Sequence, residues 1–194
     1  MGQNRYVYVG LEEVDAAQRP PGPGGTATAG IGRVAAGIIF STDGSCGYDA
    51  NAGTTPIWTN YANGAGFSAL TQLRLFENTH IADLGAPPTS GSMVRPAVSD
   101  SYRLGSSTCA SATPFDWPLG NTLNSGQYHF SMVIQFDPRG TARIIFPTSG
   151  SAIPQAIEIG LQPTRGNVIP ASASSNFAAI QINGVTGSTR IYRP

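Results

Sequence analysis

The sequence contains no lysine, and all of its eleven basic residues are arginine. They are scattered from Arg5 to Arg193 without forming a run, and the formal net charge is zero. Binding to a phosphate backbone needs clustered positive charge, so the pattern argues against an electrostatic nucleic-acid surface. The absence of lysine also argues against Walker-type phosphate loops, Schiff-base chemistry and lysine general bases.

Charge of either sign is scarce, and long apolar runs are missing. Charged residues make up 11% of the chain, against about 25% in an average globular protein. No signal peptide and no apolar run of membrane-spanning length is present. The chain nevertheless has 194 residues, of which 40% are hydrophobic, so it is long enough to form one domain, or two small ones, with a hydrophobic core. The 24 glycines and 15 prolines indicate many turns, which predicts a mainly β protein with long loops and little helix.

Cysteine is also rare, with Cys46 and Cys109 alone, each in a loop-like segment rich in Gly, Ser and Thr. Neither belongs to a CxxC pair, which argues against a zinc site. An even number of loop cysteines predicts a disulfide formed in an oxidising compartment. The alternative from the same sequence is two independent free thiols, because spacing alone does not give the separation of the Cα atoms.

The hydrophobic pattern predicts strands separated by loops. Residues 67–76 fit either a helical turn or a strand, and the stretch 85–124 is irregular with a strand near Tyr102. Asp137-Pro138-Arg139-Gly140 has the signature of a tight turn, which predicts a hairpin. The predicted strands are 5–14, 34–41, 128–136, 142–146, 156–161, 178–182 and 189–192.

The C-terminal third resembles a known family. The hairpin IQFDPRGTARI, the strand AIEIGL and the closing hairpin AAIQINGVTGSTRIYRP are similar to the globular domain of H-type pseudopilins and related type IV pilin-like proteins. The ending TGSTRIYRP and the internal LFENTHIADL resemble the pilin-like proteins of secretion-cassette gene sets in Verrucomicrobia-type bacteria. The resemblance covers residues 70–84 and 129–194.

The resemblance implies an antiparallel two-sheet β-sandwich of the pseudopilin head type, forming a single soluble domain over residues 1–194. Such proteins begin with a basic leader and a long apolar helix, neither of which matches MGQNRYVYVG. We therefore expect that an N-terminal transmembrane helix has been removed, and that it anchors the full-length protein in the inner membrane. The head would then lie on the periplasmic or extracellular side.

The function implied by the resemblance is that of a structural subunit, a minor pilin or pseudopilin-like protein of a type II secretion or type IV pilus-like fibre. Its partners would be other pilin or pseudopilin subunits and secreted cargo, bound through the long loops. We expect no enzymatic activity and no nucleic-acid partner. The alternative is a secreted carbohydrate-binding β-sandwich, in which Trp58, Tyr61 and Trp117 stack on sugar rings.

Two groups of residues in the sequence are candidate metal sites. Asp43, Asp49 and Asn51 lie in a Gly-rich loop whose oxygen atoms suit calcium, although the twelfth position of an EF-hand-like loop is Asn60. Calcium is therefore the one candidate cofactor. The spacing of Glu77, His80 and Asp83 would bring them onto one helical face, where they could bind a metal; the alternative is a solvated helix end or loop.

No catalytic motif is complete in the sequence. GFSAL around Ser68 lacks the second glycine of a nucleophile elbow. The carboxylates Glu12, Glu13, Asp116 and Glu158 stand in no recognisable motif. His129 alternates onto the polar side of its strand, which predicts that it faces solvent or a loop.

Overall fold

A computed structural model describes residues 4–46, 66–86, 95–107, 109, 114–120, 126–145, 152–171 and 176–193. Across these ranges the chain is mainly β, as the composition predicts, with a short 3-10 helix at Asp100–Tyr102. The strands are β1 (Val7–Asp15), β2 (Gly32–Ser41), β3 (Phe67–Ala69), β4 (Arg74–Ile81), β5 (Arg103–Leu104), β6 (Phe115–Trp117), β7 (Tyr128–Phe130), β8 (Met132–Phe136), β9 (Ala142–Arg143), β10 (Ala156–Pro163), β11 (Ala178–Asn183) and β12 (Thr189–Tyr192).

Most strands belong to one ten-stranded sheet with the order β12-β11-β10-β4-β2-β1-β8-β9. The short strand β3 pairs with β2, and β5 pairs with β10. Every pairing is antiparallel except that between β5 and β10. The two remaining strands, β6 and β7, form a separate antiparallel hairpin. The predicted antiparallel, mainly β fold is therefore confirmed.

The segment 128–136, predicted as one strand, is divided at Ser131 into β7 and β8. Residues 128–130 pair with β6 in the small sheet, whereas residues 132–136 pair with β1 in the large sheet. The alternation of apolar side chains continues through both pieces, which is why the sequence does not reveal the break. This division allows the β6–β7 hairpin to form a second layer.

The large sheet has a buried cluster on each face, because side chains alternate along every strand. One cluster contains Leu11, Val34, Ile134, Ile157 and Ile182, from five different strands. The other is built around residues that include Tyr8, Ala35, Ile39, Phe67 and Val133, together with residues of the β6–β7 hairpin. The sheet therefore encloses a core on one side and is covered by the hairpin on the other.

The hairpin is seated in a depression formed by two glycines. Gly10 and Gly37 are cross-strand partners in the β1–β2 pair. A Cβ atom added to Gly10 would lie 2.7 Å from Phe130, and one added to Gly37 would lie 2.8 Å from it. Phe130 itself is fully buried. The absence of two side chains thus creates the space in which an aromatic ring anchors the second layer.

The two ends of the large sheet meet, because the sheet is strongly curved. The Ala142 N–H, at the β9 end, donates a 2.7 Å hydrogen bond to the Gly184 carbonyl in the β11–β12 turn. In the same region a Cβ atom on Gly187 would lie 2.4 Å from the Gly140 carbonyl oxygen. Curvature of this kind follows from the right-handed twist of neighbouring strands. It brings the Asp137–Gly140 turn against the closing hairpin.

The segment proposed as a helical metal site is a strand in the structure. Glu77 and His80 lie in β4, and Asp83 follows it. The three side chains bind different partners: Arg33 for Glu77, Glu13 for His80 and Arg103 for Asp83. The predicted convergence on one helical face is therefore wrong, because pairing with β2 and β10 imposes an extended backbone.

Candidate functional site

The β6–β7 hairpin is joined to the sheet by a cluster of Glu12, Asp116 and His129. Asp116 and His129 are cross-strand partners, and Asp116 Oδ1 lies 2.6 Å from His129 Nδ1. Asp116 Oδ2 accepts a 2.9 Å hydrogen bond from the Gly126 N–H. Glu12, on β1, accepts a 2.8 Å hydrogen bond from the His129 backbone N–H. The cluster therefore links two layers of the protein.

Glu12 has an unusual acidity for a carboxyl group. Burial raises its pKa from 4.5 to about 7, the His129 backbone N–H opposes the rise, and the charge of Asp116 adds to it. A carboxyl group of this kind gains or loses a proton near neutral pH. The Glu12 contact with the His129 backbone, which links the hairpin to β1, therefore involves a group that changes charge near neutral pH.

The neighbouring residue Glu13 forms a comparable contact on the opposite face. Its Oε1 lies 2.6 Å from His80 Nδ1 and accepts a 3.0 Å hydrogen bond from the Ile81 N–H. Both histidines of the chain are thus paired with carboxylates. His129 is half-buried beside Asp116, so the predicted solvent- or loop-facing position is replaced by a contact between layers.

A buried polar network fixes the segment that follows residue 94. Arg95 and Glu158 form an ion pair at 2.8 Å, with side chains only 1% and 2% exposed. Gln181 Nε2 donates 2.8 Å hydrogen bonds to Glu158 and to the Pro96 carbonyl. Arg95 also donates to the Leu84 and Gly85 carbonyls. The network holds residues 95–97 beside strands β11 and β12.

Strand β12 lies at the end of the large sheet and has an unpaired edge within the described ranges. The Asn183 N–H donates a 2.8 Å bond to the Ser188 carbonyl, which begins the ladder between β11 and β12. Bonded and non-bonded pairs alternate in an antiparallel ladder, so Gln181–Arg190 and Ala179–Tyr192 are the next bonded pairs. The backbone N–H and C=O groups of Ile191 therefore point away from β11.

Two clefts lie near β12. One has a volume of about 240 Å³ and is lined by Pro96, Gln181, Arg190 and Tyr192, among others. The other has a volume of about 520 Å³, and its lining includes Arg193. The strand thus combines an open edge with a cleft beside Arg190, and the second cleft reaches Arg193, which directly follows the strand.

The two cysteines are free thiols in the structure, so the predicted disulfide is not formed. Cys46 Sγ lies 3.1 Å from Gln135 Nε2 and near the hydroxyl of Tyr8. Cys109 instead packs against the cluster that contains Leu11 and Ile134. Tyr8 and Leu11 point to opposite faces of β1, so the sheet separates the two thiols.

The structure describes only some of the residues predicted to bind calcium or sugar. Asp43 Oδ1 accepts hydrogen bonds from the Ser45 N–H and hydroxyl and from the Ser41 hydroxyl. These bonds, those from Ser45 first, lower the pKa of Asp43 to about 2. Trp117 packs against the cluster that contains Phe130. Asp49, Asn51, Trp58 and Tyr61 lie outside the described residues.

Sequence reasoning missed two features of the site. The Glu12–Asp116–His129 cluster joins residues far apart in the chain, and the sequence gives no sign of their contact. The sequence TRIYR contains Arg190 and Arg193, and its alternation places Arg190 and Ile191 on opposite faces of a strand. Their position at a sheet edge depends on the order of the strands, which the sequence pattern does not specify.

Comparison with known proteins adds no assignment: no protein-family model, curated protein or solved structure matches the chain. Among the residues described above, no group of three or more His, Cys, Asp or Glu side chains is arranged to hold a metal ion. The same ranges contain no helix with the length and hydrophobicity needed to cross a bilayer.

Proposed function

We propose that the chain is the globular head of a structural subunit in a type IV pilus-like or type II secretion pseudopilus fibre. It acts through contacts with other pilin or pseudopilin subunits and with secreted cargo, and it catalyses no reaction. The full-length protein is anchored in the inner membrane, with the head on the periplasmic or extracellular side. This proposal begins from the resemblance in the C-terminal third of the sequence.

The observation that best supports the proposal is the arrangement of the segments that resemble pseudopilins. The β8–β9 hairpin and strands β10–β12 form one continuous unit, because the Ala142–Gly184 hydrogen bond joins them. This unit ends in β12, whose edge is unpaired in the described part of the chain and whose Ile191 is 57% exposed. An open edge strand is a natural site for contact with another chain.

The proposal is tested by locating the protein in its source cells. Sheared surface fibres and membranes are separated from cytosol, and each fraction is probed with an antibody against the head. We expect the protein in the fibre or membrane fraction. Recovery in the cytosol alone would overturn the proposal, and so would saturable binding on a glycan array in the absence of any fibre association.

A pair of matched variants tests whether β12 takes part in assembly. Ile191→Asp places a charge on the edge strand, whereas Leu70→Asp does so at a residue of similar exposure, 56%, after β3. We expect Ile191→Asp to lower fibre association several-fold and Leu70→Asp to leave it unchanged. Equal effects of the two variants would show that β12 has no special role.

A further inference from the structure

We infer that β12 binds an extended acidic segment of a partner chain as an additional antiparallel strand, with one carboxylate at Arg190 and a second at Arg193. The inference rests on the proposed function, since it names the chemistry of the partner at the same edge. It follows the mode in which main-chain hydrogen bonds at a sheet edge give affinity and side-chain contacts give specificity.

The backbone of β12 provides the first part of the argument. The N–H and C=O groups of Ile191 point away from β11, and those of Thr189 do so by the same alternation, while Arg193 directly follows the last residue of β12. Among the described residues, β11 is the sole strand paired with β12. A chain lying along this edge therefore meets a regular row of donors and acceptors.

The charge distribution provides the second part of the argument for an acidic partner. The three arginines that are buried in the described part of the chain have carboxylate partners: Arg33 binds Glu77, Arg95 binds Glu158 and Arg103 binds Asp83. Arg190 and Arg193 are exposed and form no ion pair with any described residue. C-terminal to Glu158 the sequence contains no Asp or Glu. Strands β11 and β12 therefore have no acidic residue of their own, and the exposed arginines favour a partner with carboxylates.

Side-chain geometry defines the spacing of those carboxylates. Arg190 and Tyr192 lie on the face with the smaller cleft, and Ile191 and Arg193 lie on the other face. In an antiparallel strand, the residues opposite Arg193 and Arg190 are three positions apart. The best-matched segment is Glu-Thr-Val-Glu, in which the first Glu faces Arg193, Val faces Ile191 and the second Glu faces Arg190.

The test is a titration of the isotope-labelled chain with the peptide Ser-Glu-Thr-Val-Glu-Ser, followed by amide NMR shifts. We expect weak saturable binding, with Kd in roughly the submillimolar range, and the largest shifts at Thr189, Ile191 and Arg193. Affinity should fall as salt is added, because these charges are exposed. The peptide Ser-Thr-Glu-Glu-Val-Ser has the same composition with adjacent carboxylates, and it should bind several-fold more weakly.

Variants separate the charge contribution from the edge contribution. Arg190→Gln and Arg193→Gln should each weaken binding by about threefold or more, while Arg74→Gln, at an exposed arginine of β4, should have no effect. Ile191→Pro removes an outward N–H without breaking the β11–β12 ladder, and it should abolish binding. The amide spectrum of each variant reports whether it is folded.

Several outcomes would overturn the inference. These are absence of binding, equal affinity for the two peptides, an unchanged affinity in both arginine variants, or tighter binding of a short oligothymidylate with shifts spread over all exposed arginines. If the peptide fails to bind but the protein is found in sheared fibres, the inference alone is wrong. If the peptide binds but the protein is cytosolic, the proposed function fails while the edge site stands.

Discussion

The ion pair between Arg95 and Glu158 is nearly inaccessible to solvent, and each member has further hydrogen-bond partners. A buried pair of this kind contributes little net stability compared with apolar residues, because both ions lose their hydration. Removing one member is costly, however, since the other charge then remains buried without compensation. The pair is therefore more important for the position of residues 95–97 than for the total stability of the fold.

We expect Glu158→Gln to lower the free energy of unfolding by about 3 kcal/mol, because it leaves the Arg95 guanidinium without a counter-charge. The matched control is Asp100→Asn, whose carboxylate is 67% exposed and whose partner Arg103 keeps a second carboxylate, Asp83. That change should cost less than about 1 kcal/mol. Urea denaturation of both variants measures the difference, and equal losses would contradict the argument from burial.

Glu12 should make stability depend on pH near neutrality. Burial raises its pKa from 4.5 to about 7, so the folded protein keeps a proton that the unfolded chain releases. Stability from this group is present at low pH and is lost as pH rises from about 4.5 through 7. Glu12→Gln should remove that fall. Denaturation of both proteins across this range is the measurement, and parallel curves would contradict the prediction.

The two thiols should be separate, and Cys109 should react slowly in the folded protein. Burial raises the pKa of Cys109 to about 11, so little thiolate is present at pH 8 and the reaction with a thiol reagent is slow. We expect alkylation of the denatured, unreduced protein to modify both cysteines, as measured by intact mass. A mass showing no modification without reductant would establish the disulfide instead.

At the scale of elements, the depression at Gly10 and Gly37 determines where the β6–β7 hairpin sits. Gly37→Ala places a methyl group 2.8 Å from the Phe130 ring, and we expect it to cost about 1–3 kcal/mol through overpacking. Gly22→Ala is the control, because an added Cβ there meets nothing within 4 Å. Thermal unfolding measures both.

A second substitution tests whether the contact with Phe130 causes the loss of stability expected for Gly37→Ala. Combining Gly37→Ala with Phe130→Leu should cost less than the sum of the two single changes, because the smaller side chain makes room for the methyl group. Strict additivity of the two losses would show that Gly37 acts through its backbone and that the depression is not needed for docking.

Most strands could be predicted from the sequence, because their apolar side chains alternate and turns separate them. β12 has the predicted bounds, and β2, β10 and β11 extend by two residues or fewer beyond theirs. The ambiguous segment 67–76 contains β3 and the start of β4. Periodicity is a local property, and it is strong wherever one face of a strand is buried.

The candidate site was not predictable, since it depends on contacts between distant segments. Glu12 and His129 meet because the hairpin folds back over β1, and Arg190 lies at an edge because no described strand pairs beyond β12. The spacing of Glu77 and His80 suggested a helix, and pairing with neighbouring strands overrode it. Local spacing alone contains no information about such pairings.

At the scale of the whole molecule, the contact between the two ends of the sheet should contribute to stability. Gly187 has φ +64°, and a Cβ there would lie 2.4 Å from the Gly140 carbonyl. Gly166 has φ +58° with nothing within 4 Å. Gly166→Ala should therefore show the backbone strain alone, about 1–2 kcal/mol.

Gly187→Ala should cost more than Gly166→Ala, because it also pushes the ends of the sheet apart. The expected difference is about 1 kcal/mol or more, measured by denaturant unfolding of both variants. Hydrogen exchange provides a second readout, since the Ala142 N–H bonded to Gly184 should exchange faster in Gly187→Ala alone. Equal losses in the two variants would mean that the meeting of the ends contributes nothing.

The adjacent residues Glu12 and Glu13 tie the register of β1 to two layers of the fold. Each accepts a backbone N–H from a different segment, on opposite faces of β1. If β1 slipped by one residue against its neighbours, every side chain would change face. One glutamate would then take the place of the other, and only one of the two backbone donors would still meet a carboxylate. A shifted register therefore leaves a backbone donor unpaired, which makes it less stable than the native register.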